Sequence, residues 1–472
     1  MKYTPIPLVA AVAAASMAGA SLTQQCSGSA VNEGGNFFCG AVQHILYQGI
    51  GGSGSYEAVK SMSATGECQK ETKTFDGPLA PLDEGLSLHF RGPIHLKEVA
   101  VYTLSSKNKQ RRQEVAAEKT KRGHGHQQFH EAKKMMKKNK RTEWITATIN
   151  GDVVSWEKVN YGPPTAAPPP PAAAAAAPTV PAAAPVANAN AGVEASNPGP
   201  APAVPAGAAT KAKPAASGKD WDRTSYYNAE TQEAENLVFL ANYGGQGSGV
   251  FDTVWGSSLS YLNANGDGGA SSAQVLANVD IPSNKEFAIF SGEPCDGSCG
   301  FSRAKDVAYK GFEGTHKIFL FNFKMPMDGN TGFNGDMPAI WALNADIPRT
   351  AQYNACSCWP KCGEFDFFEV LAKGDTKCKS TVHLANGGGS SDYFARPVDA
   401  YMKGAVIFDA DAGVSIRVLP DDTDFSKGLD DATVQAWVAS GSSGSAGSST
   451  GAEGGGIVSK IASSVFQIAG SV

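Results

Sequence analysis

One run in the second half of the chain, GEFDFFEVL at Gly363–Leu371, constrains the fold more than any other stretch. Its length and apolar filling are typical of a buried β-strand. The run nevertheless carries three carboxylates, Glu364, Asp366 and Glu369. Ionised carboxylates are almost never buried without a partner, because desolvating one costs several kcal/mol. The run therefore predicts a strand that borders a cleft in which these groups have a chemical role.

The spacing of the three carboxylates predicts an irregularity in the strand. Glu364 and Asp366 face the same side of a regular strand, since side chains alternate with period two, whereas Glu369 should face the other side. A β-bulge between Asp366 and Glu369 adds one residue and restores a shared facing. The alternative is an edge strand whose carboxylates merely face water, and the apolar filling argues against it.

A pair of carboxyl groups about 5–5.5 Å apart is what retaining glycoside hydrolysis requires, one as nucleophile and one as acid/base. Two Glu residues with an Asp between them can supply that arrangement, and the Asp can hydrogen-bond one of the two Glu residues. The pattern therefore favours glycosidic bond cleavage.

Several motifs carry a family resemblance. The Glu-x-Asp-x-x-Glu strand resembles the catalytic strand of glycoside hydrolase family 16, and MPAIWAL at Met337–Leu343 resembles that family's WPAIW segment, with Met337 in place of the first Trp. KMP at Lys324–Pro326 also matches. Over most of its length the chain resembles the Tos-type cell-wall proteins of fungi. That resemblance covers NFFCG at residues 36–40, LAPLD at 79–83, and SYYN at 225–228 onward to about residue 419.

This resemblance implies a β-1,3-glucanase of the cell wall, acting within the glucan chain and without a cofactor. It implies Glu364 as nucleophile, Glu369 as acid/base and Asp366 as the residue that orients Glu364. The candidates for stacking on sugars are Trp341 and, less strongly, Trp359, because flat aromatic rings dock on the apolar faces of sugars. His383, expected on the next strand, is a candidate polar contact to the sugar. A core Trp and a structural His are the alternatives. For the whole protein the alternatives are a glucan transglycosylase, which shares the covalent intermediate, and a wall-binding or structural protein without turnover.

Residues 1–20 have the organisation of a secretory signal peptide. An exported chain meets an oxidising environment, so its nine cysteines favour disulfides over zinc ligands. We expect bonds that brace the loop before the carboxylate strand. The odd number of cysteines in the N-terminal part predicts a free thiol or an intermolecular bond there; those cysteines are Cys26, Cys39 and Cys68.

Composition divides the chain into parts. Short apolar or alternating runs separated by turn residues predict an all-β protein, with a small Gly-rich β domain at 21–161 and a β-sandwich or jelly-roll catalytic domain at 221–438. Residues 162–220 are Ala/Pro-rich and predict a disordered linker. Within the first domain, WITATI at 144–149 and VVSW at 153–156 flank an Asn-Gly turn and predict a hairpin.

The charge pattern argues against a nucleic-acid partner. The net charge is −5, so the chain as a whole does not attract nucleic acid. The basic tract at about 105–141 predicts a solvated, disordered insertion in an exported protein. No stretch is long and apolar enough to predict a membrane span. Residues 439–472 are Gly/Ser-rich and then mildly apolar, which predicts either a lipid-anchor signal or a simple flexible end. We expect a secreted protein of the cell wall that binds β-1,3-glucan, with covalent or lipid attachment to wall or membrane as an option.

Overall fold

A computed structural model describes most of the chain outside its low-complexity parts. The described residues are 29–105, 107–108, 144–149, 152–157, 210–214, 216–244, 247–252, 254–350, 356–439 and 463–468. The predicted signal peptide, the basic tract from 109 to 141, the linker up to residue 209 and the tail from 440 to 462 lie outside them. The chain divides into two units, one formed by residues 1–125 with 207–472 and the other by residues 126–206.

Antiparallel strands of the larger unit form a sheet that we call the front sheet. Strands are numbered in chain order. Among the described residues the spatial order in this sheet is β16 (Gly269–Ala270), β15 (Ser260–Leu262), β12 (Leu237–Ala241), β18 (Glu286–Ser291), β6 (Leu86–Arg91), β20 (Ala339–Asn344), β21 (Glu364–Val370), β22 (Lys377–His383) and β23 (Gly388–Gly389), with β24 (Phe394–Ala395) also paired to β22.

A second sheet, the back sheet, lies behind it. Its order in the described part of the chain is β11 (Glu233–Glu235), β10 (Trp221–Asn228), β7 (Ile94–Leu104), β19 (His316–Lys324), β25 (Met402–Asp409), β26 (Gly413–Leu419), β3 (His44–Gln48) and β27 (Ser463–Gln467), with β17 (Asp280–Ile281) paired to β7. The pairing of β27 with β3 is parallel, and the others are antiparallel.

The remaining elements of the larger unit are hairpins and short helices. These are β1 (Val31–Glu33) with β2 (Asn36–Phe38), β4 (Gly54–Met62) with β5 (Cys68–Phe75), β13 (Phe251–Asp252) with β14 (Gly256–Ser257), a 3₁₀ turn at Lys305–Val307, α1 (Asp346–Arg349) and α2 (Asp431–Ala439). None of the described helices is long and apolar enough to cross a membrane. The smaller unit contains β8 (Trp144–Ile149) paired with β9 (Asp152–Glu157), which confirms the predicted hairpin.

Aromatic side chains join the two sheets into a sandwich. Phe365 and Phe367 of β21 point into the core, where the Phe367 ring lies 6.4 Å from that of Phe319 in the back sheet. Phe365 lies at the same distance from Phe408 of the back sheet. All four side chains are fully buried, so each removes a large apolar surface from water. The predicted all-β sandwich is confirmed.

The sandwich combines strands from both ends of the chain. Strand β6 lies between β18 and β20 in the front sheet, and β7 lies between β10 and β19 in the back sheet. The structure therefore corrects the expectation of a separate β domain before the linker. The physical reason is that each of these strands has unpaired backbone groups on both edges, and partners from beyond residue 220 satisfy them. Alternation shows which side chains are buried, but it carries no information on which strand lies alongside.

One disulfide also crosses the predicted domain boundary. Cys68 bonds to Cys356 over 288 residues, and Cys358 bonds to Cys362. Both bonds brace the loop before β21, as predicted. A third bond joins Cys295 to Cys299. The expectation of an unpaired thiol among the N-terminal cysteines is corrected for Cys39 and Cys68, which are both bonded, while the buried Cys378 is the free cysteine of the described residues.

Replacing Cys68 and Cys356 together by Ser is expected to lower the free energy of unfolding by about 2–5 kcal/mol, because the bond restricts a long loop in the unfolded chain. The matched control is the double Ser variant of Cys295 and Cys299, whose bond spans 4 residues and should matter much less. Urea unfolding of both variants measures the difference. Equal losses would show that loop length does not explain the stabilisation.

Candidate active site

Strand β21 contains the predicted bulge. Ile340 of β20 pairs with Phe368, but the next residue, Trp341, pairs with Asp366, so Phe367 is the additional residue. The register with β22 shifts over the same interval, between Asp366 and Glu369. As a result, Phe367 and Phe368 both lie in the core. The bulge offsets the odd spacing of the carboxylates.

The three carboxylates consequently share one face of the front sheet. Glu364, Asp366 and Glu369 pair with Leu343, Trp341 and Ala339, which alternate along β20 and cluster on the face opposite the core. On the other side they pair with His383, Thr381 and Lys379 of β22. The shared facing that the sequence predicted is therefore present.

Glu369 is held by an arginine from the N-terminal part of the chain. Nη2 of Arg91 lies 3.2 Å from Oε1 of Glu369, and Nε of Arg91 donates to the carbonyl oxygen of Met337 at 2.7 Å. Burial raises the pKa of Glu369 to about 7, the nearby Asp366 charge adds to the rise, and Arg91 and His383 oppose it. This carboxyl therefore keeps a proton up to near neutral pH.

Asp366 has an ion-pair partner on the neighbouring strand. Nε2 of His383 lies 3.0 Å from Oδ2 of Asp366. Desolvation lowers the pKa of His383, but the hydrogen bond to Asp366 and the charges of Asp366, Glu364 and Glu369 outweigh it and raise that pKa to about 9. The imidazole is therefore positively charged at neutral pH, and it partly balances three acidic groups. His383 is also 40% exposed, so one side of the ring is open to solvent.

Glu364 is contacted by the loop that the disulfides brace. Nε1 of Trp359 donates a hydrogen bond to Oε2 of Glu364, and the Trp359 ring lies 6.1 Å from that of His383. Trp359 lies between Cys358 and Cys362, so their bond closes a short loop around it. The side chain is still 37% exposed, which leaves part of the ring available beside Glu364.

Trp341 of β20 pairs with Asp366 of β21, so the two side chains lie side by side on the same face of the front sheet. Trp341 is 4% exposed, its ring lies 5.3 Å from that of His89, and the guanidinium of Arg91 lies 5.8 Å from its centre. Its Nε1 has no hydrogen-bond partner among the described residues. A buried donor without a partner costs about 1–3 kcal/mol, so the structure favours the core alternative for Trp341 over an open sugar contact.

All six predicted site residues are brought together, but residues of β6 were missed. The ring of His89 packs on Trp341, and burial lowers the pKa of His89 to about 3. Its Nε2 lies 2.8 Å from Oγ of Ser87. The alternation in LSLHFR at Leu86–Arg91 does place Ser87, His89 and Arg91 on one face. No local signal shows that this strand pairs with β20.

Comparisons with known proteins place the chain in a family. It matches the model described as "Cell wall protein YJL171C/Tos1, C-terminal" over residues 219–437 and the corresponding N-terminal model over residues 43–104. The "Probable circularly permuted 1,3-beta-glucanase TOS1" of Candida albicans is 37% identical, over 93% of this chain and 98% of that protein. The chain belongs to the Tos1 family of cell wall proteins.

Other relatives agree with this assignment. The Tos1-family chain is 39% identical to a "Probable circularly permuted 1,3-beta-glucanase" of Arthroderma benhamiae, over 85% of the chain and 89% of the relative. It is 37% identical to the TOS1 protein of Saccharomyces cerevisiae, over 87% and 93%. No solved structure matches the chain. The predicted resemblance to glycoside hydrolase family 16 is not among these matches and stays a prediction.

Proposed function

We propose that this Tos1-family protein is a retaining hydrolase that cleaves within β-1,3-glucan chains of the fungal cell wall. The observation that carries the proposal is the bulge in β21, which gives Glu364, Asp366 and Glu369 a common face beside Trp341 and Trp359. Sugar rings have apolar faces that pack on indole rings, and the partly exposed Trp359 offers such a ring next to Glu364.

The chemistry follows from the two Glu residues. Glu364 attacks the anomeric carbon and forms a carbon–oxygen bond, while the glycosidic bond breaks and its oxygen takes the proton of Glu369. Glu369 then removes a proton from water, whose oxygen attacks the same carbon and releases the Glu364 carboxylate. Asp366, fixed by His383 at 3.0 Å, orients the neighbouring Glu364. No cofactor enters either step.

The names of the relatives support the substrate. They are called probable 1,3-beta-glucanases, and "circularly permuted" is consistent with β6 and β7 lying between strands from beyond residue 220. We infer that residues 1–20 direct export and that the protein acts in the wall, which agrees with its family. The disulfides fit an exported protein.

The direct test is to incubate the full-length protein with laminarin and to follow reducing ends. The expected result is a steady rise in reducing ends and early products with the β configuration, because two inversions restore it. Longer glucans without new reducing ends would indicate transglycosylation. Binding to insoluble glucan without any product would contradict both hydrolysis and transglycosylation and would favour a wall-binding protein.

The pH dependence of kcat/KM follows from the raised pKa of Glu369. A general acid must be protonated in the free enzyme, so activity should be present below about pH 7 and should fall as the pH rises through that value. Initial rates on laminarin between pH 4 and 9 measure this limb. A limb near the ordinary pKa of a Glu side chain, about 4.3, would contradict the assignment of Glu369 as acid.

A further inference from the structure

A charged row crosses the front sheet at the Glu369 end of the site. Glu286 of β18 pairs with Arg91 of β6, Arg91 pairs with Ala339 of β20, and Ala339 pairs with Glu369 of β21. Four side chains of one face therefore stand side by side on four adjacent strands. The small side chain of Ala339 leaves space, and the guanidinium of Arg91 passes over it to Glu369.

Arg91 is shared between two carboxylates. Nη2 lies 3.2 Å from Oε1 of Glu369, and Nη1 lies 3.7 Å from Oε1 of Glu286. The third guanidinium nitrogen donates to the carbonyl oxygen of Met337 at 2.7 Å, and Arg91 is 12% exposed. The planar guanidinium makes hydrogen bonds through two nitrogens and an ion pair through the third, so its charge has a defined place between the two acids.

We propose that Arg91 and Glu286 are positioning residues that set the pH range in which Glu369 works as an acid and then as a base. The proposal rests on the function proposed above. While Glu369 holds its proton, the charge of Arg91 is balanced by Glu286. Once Glu369 has given that proton to the leaving oxygen, Arg91 stabilises the new carboxylate at 3.2 Å. Arg91 favours the charged form of Glu369, and Glu286 disfavours it.

Other charged groups face Glu369 from the elements around it. Asp366 and Glu364 lie on its own strand, and His383 and Lys379 lie on β22. Asp366 raises the pKa of Glu369, and His383 lowers it. Lys379 pairs with Glu369 in register, but its Nζ donates to the carbonyl oxygen of Phe37 at 2.9 Å and is thereby held away. Arg91 and Glu286 act on the pKa of Glu369 from the opposite side, across β20.

Two substitutions should move the alkaline limb of kcat/KM in opposite directions. Arg91→Met removes a positive charge and should shift the limb upward by about 1 pH unit. Glu286→Gln removes a negative charge and leaves Arg91 to Glu369 alone, so the limb should shift downward by roughly half a unit. Arg91→Lys keeps the charge and should restore the limb toward its original position. The measurement is the pH profile on laminarin.

The matched control is Arg223→Met. Arg223 pairs with Glu235 at 2.8 Å in the back sheet, and the two side chains are 14% and 17% exposed, close to the 12% and 21% of Arg91 and Glu369. Arg223 lies in the other sheet from Glu364, Asp366 and Glu369, so Arg223→Met should leave the alkaline limb of kcat/KM unchanged. Limbs that shift in the same direction in Arg91→Met and Glu286→Gln, or in neither, would overturn the proposal.

A second measurement separates this proposal from the proposed function. The full-length protein labelled with ¹³C at Glu side chains is titrated by NMR, and the Glu369 signal is identified by its loss in Glu369→Gln. The titration midpoint should rise in Arg91→Met and fall in Glu286→Gln. An unchanged midpoint rejects the positioning role even if glucan is cleaved. If the Glu369 midpoint shifts as expected but the protein does not cleave glucan, the positioning role of Arg91 and Glu286 is supported and the proposed hydrolase function is rejected.

Discussion

Replacing Glu364 by Gln is expected to lower kcat on laminarin by about 10⁴-fold or more, the loss typical of removing a nucleophile. The amide has nearly the same shape as the carboxylate, and its oxygen can still accept the hydrogen bond from Nε1 of Trp359. It cannot form the covalent bond to the anomeric carbon. The measurement is initial rates of reducing-end release, with substrate binding to insoluble glucan followed in parallel.

The fold of this variant should be intact and at least as stable as the original. Glu364 is 7% exposed and shares its face with Asp366, so neutralising Glu364 removes repulsion between these two carboxylates. The matched control is Glu235→Gln, in which a carboxylate of the back sheet paired with Arg223 is neutralised instead. That variant should keep full activity. Turnover retained in Glu364→Gln would reject the nucleophile.

The local features of β21 could be predicted from sequence because they depend on near neighbours. Because side chains alternate along a strand, the three carboxylates can share one face only if one additional residue lies between Asp366 and Glu369. The register shift occurs in that interval. The contact of His383 with Asp366 also follows from local order, since β22 comes next in the chain after β21 and pairs with it. Consecutive strands that form a hairpin bring their cross-strand neighbours together.

The partners of β6 could not be predicted in the same way. Arg91 and Glu369 are separated by 278 residues, and the strand between them in the sheet, β20, pairs with both. The alternation in β6 indicates a half-buried strand, but backbone hydrogen bonds are identical for every sequence, so they do not select a partner. The bond between Cys68 and Cys356 was missed for the same reason, because cysteine counts on either side of the linker do not reveal a bond across it.

The bulge itself is expected to depend on the buried ring of Phe367. This side chain is fully buried, with ring centres 5.4 Å from Phe365, 6.2 Å from Phe321 and 6.4 Å from Phe319. Phe367→Ala should lower the free energy of unfolding by about 3–5 kcal/mol, as for other buried Phe residues. It should also lower kcat, because an additional residue without an anchor no longer fixes the orientation of Glu369.

The matched control, Phe239→Ala, separates the two effects. Phe239 is equally buried in the same core but belongs to β12, and three strands of the front sheet lie between it and β21. Both variants should lose similar stability in urea unfolding, whereas only Phe367→Ala should lose kcat at temperatures where both remain folded. Equal kcat values in the two variants would mean that backbone hydrogen bonds hold the bulge without the ring. Partial recovery of kcat in Phe367→Leu would show that the buried volume at position 367 orients the carboxyl of Glu369.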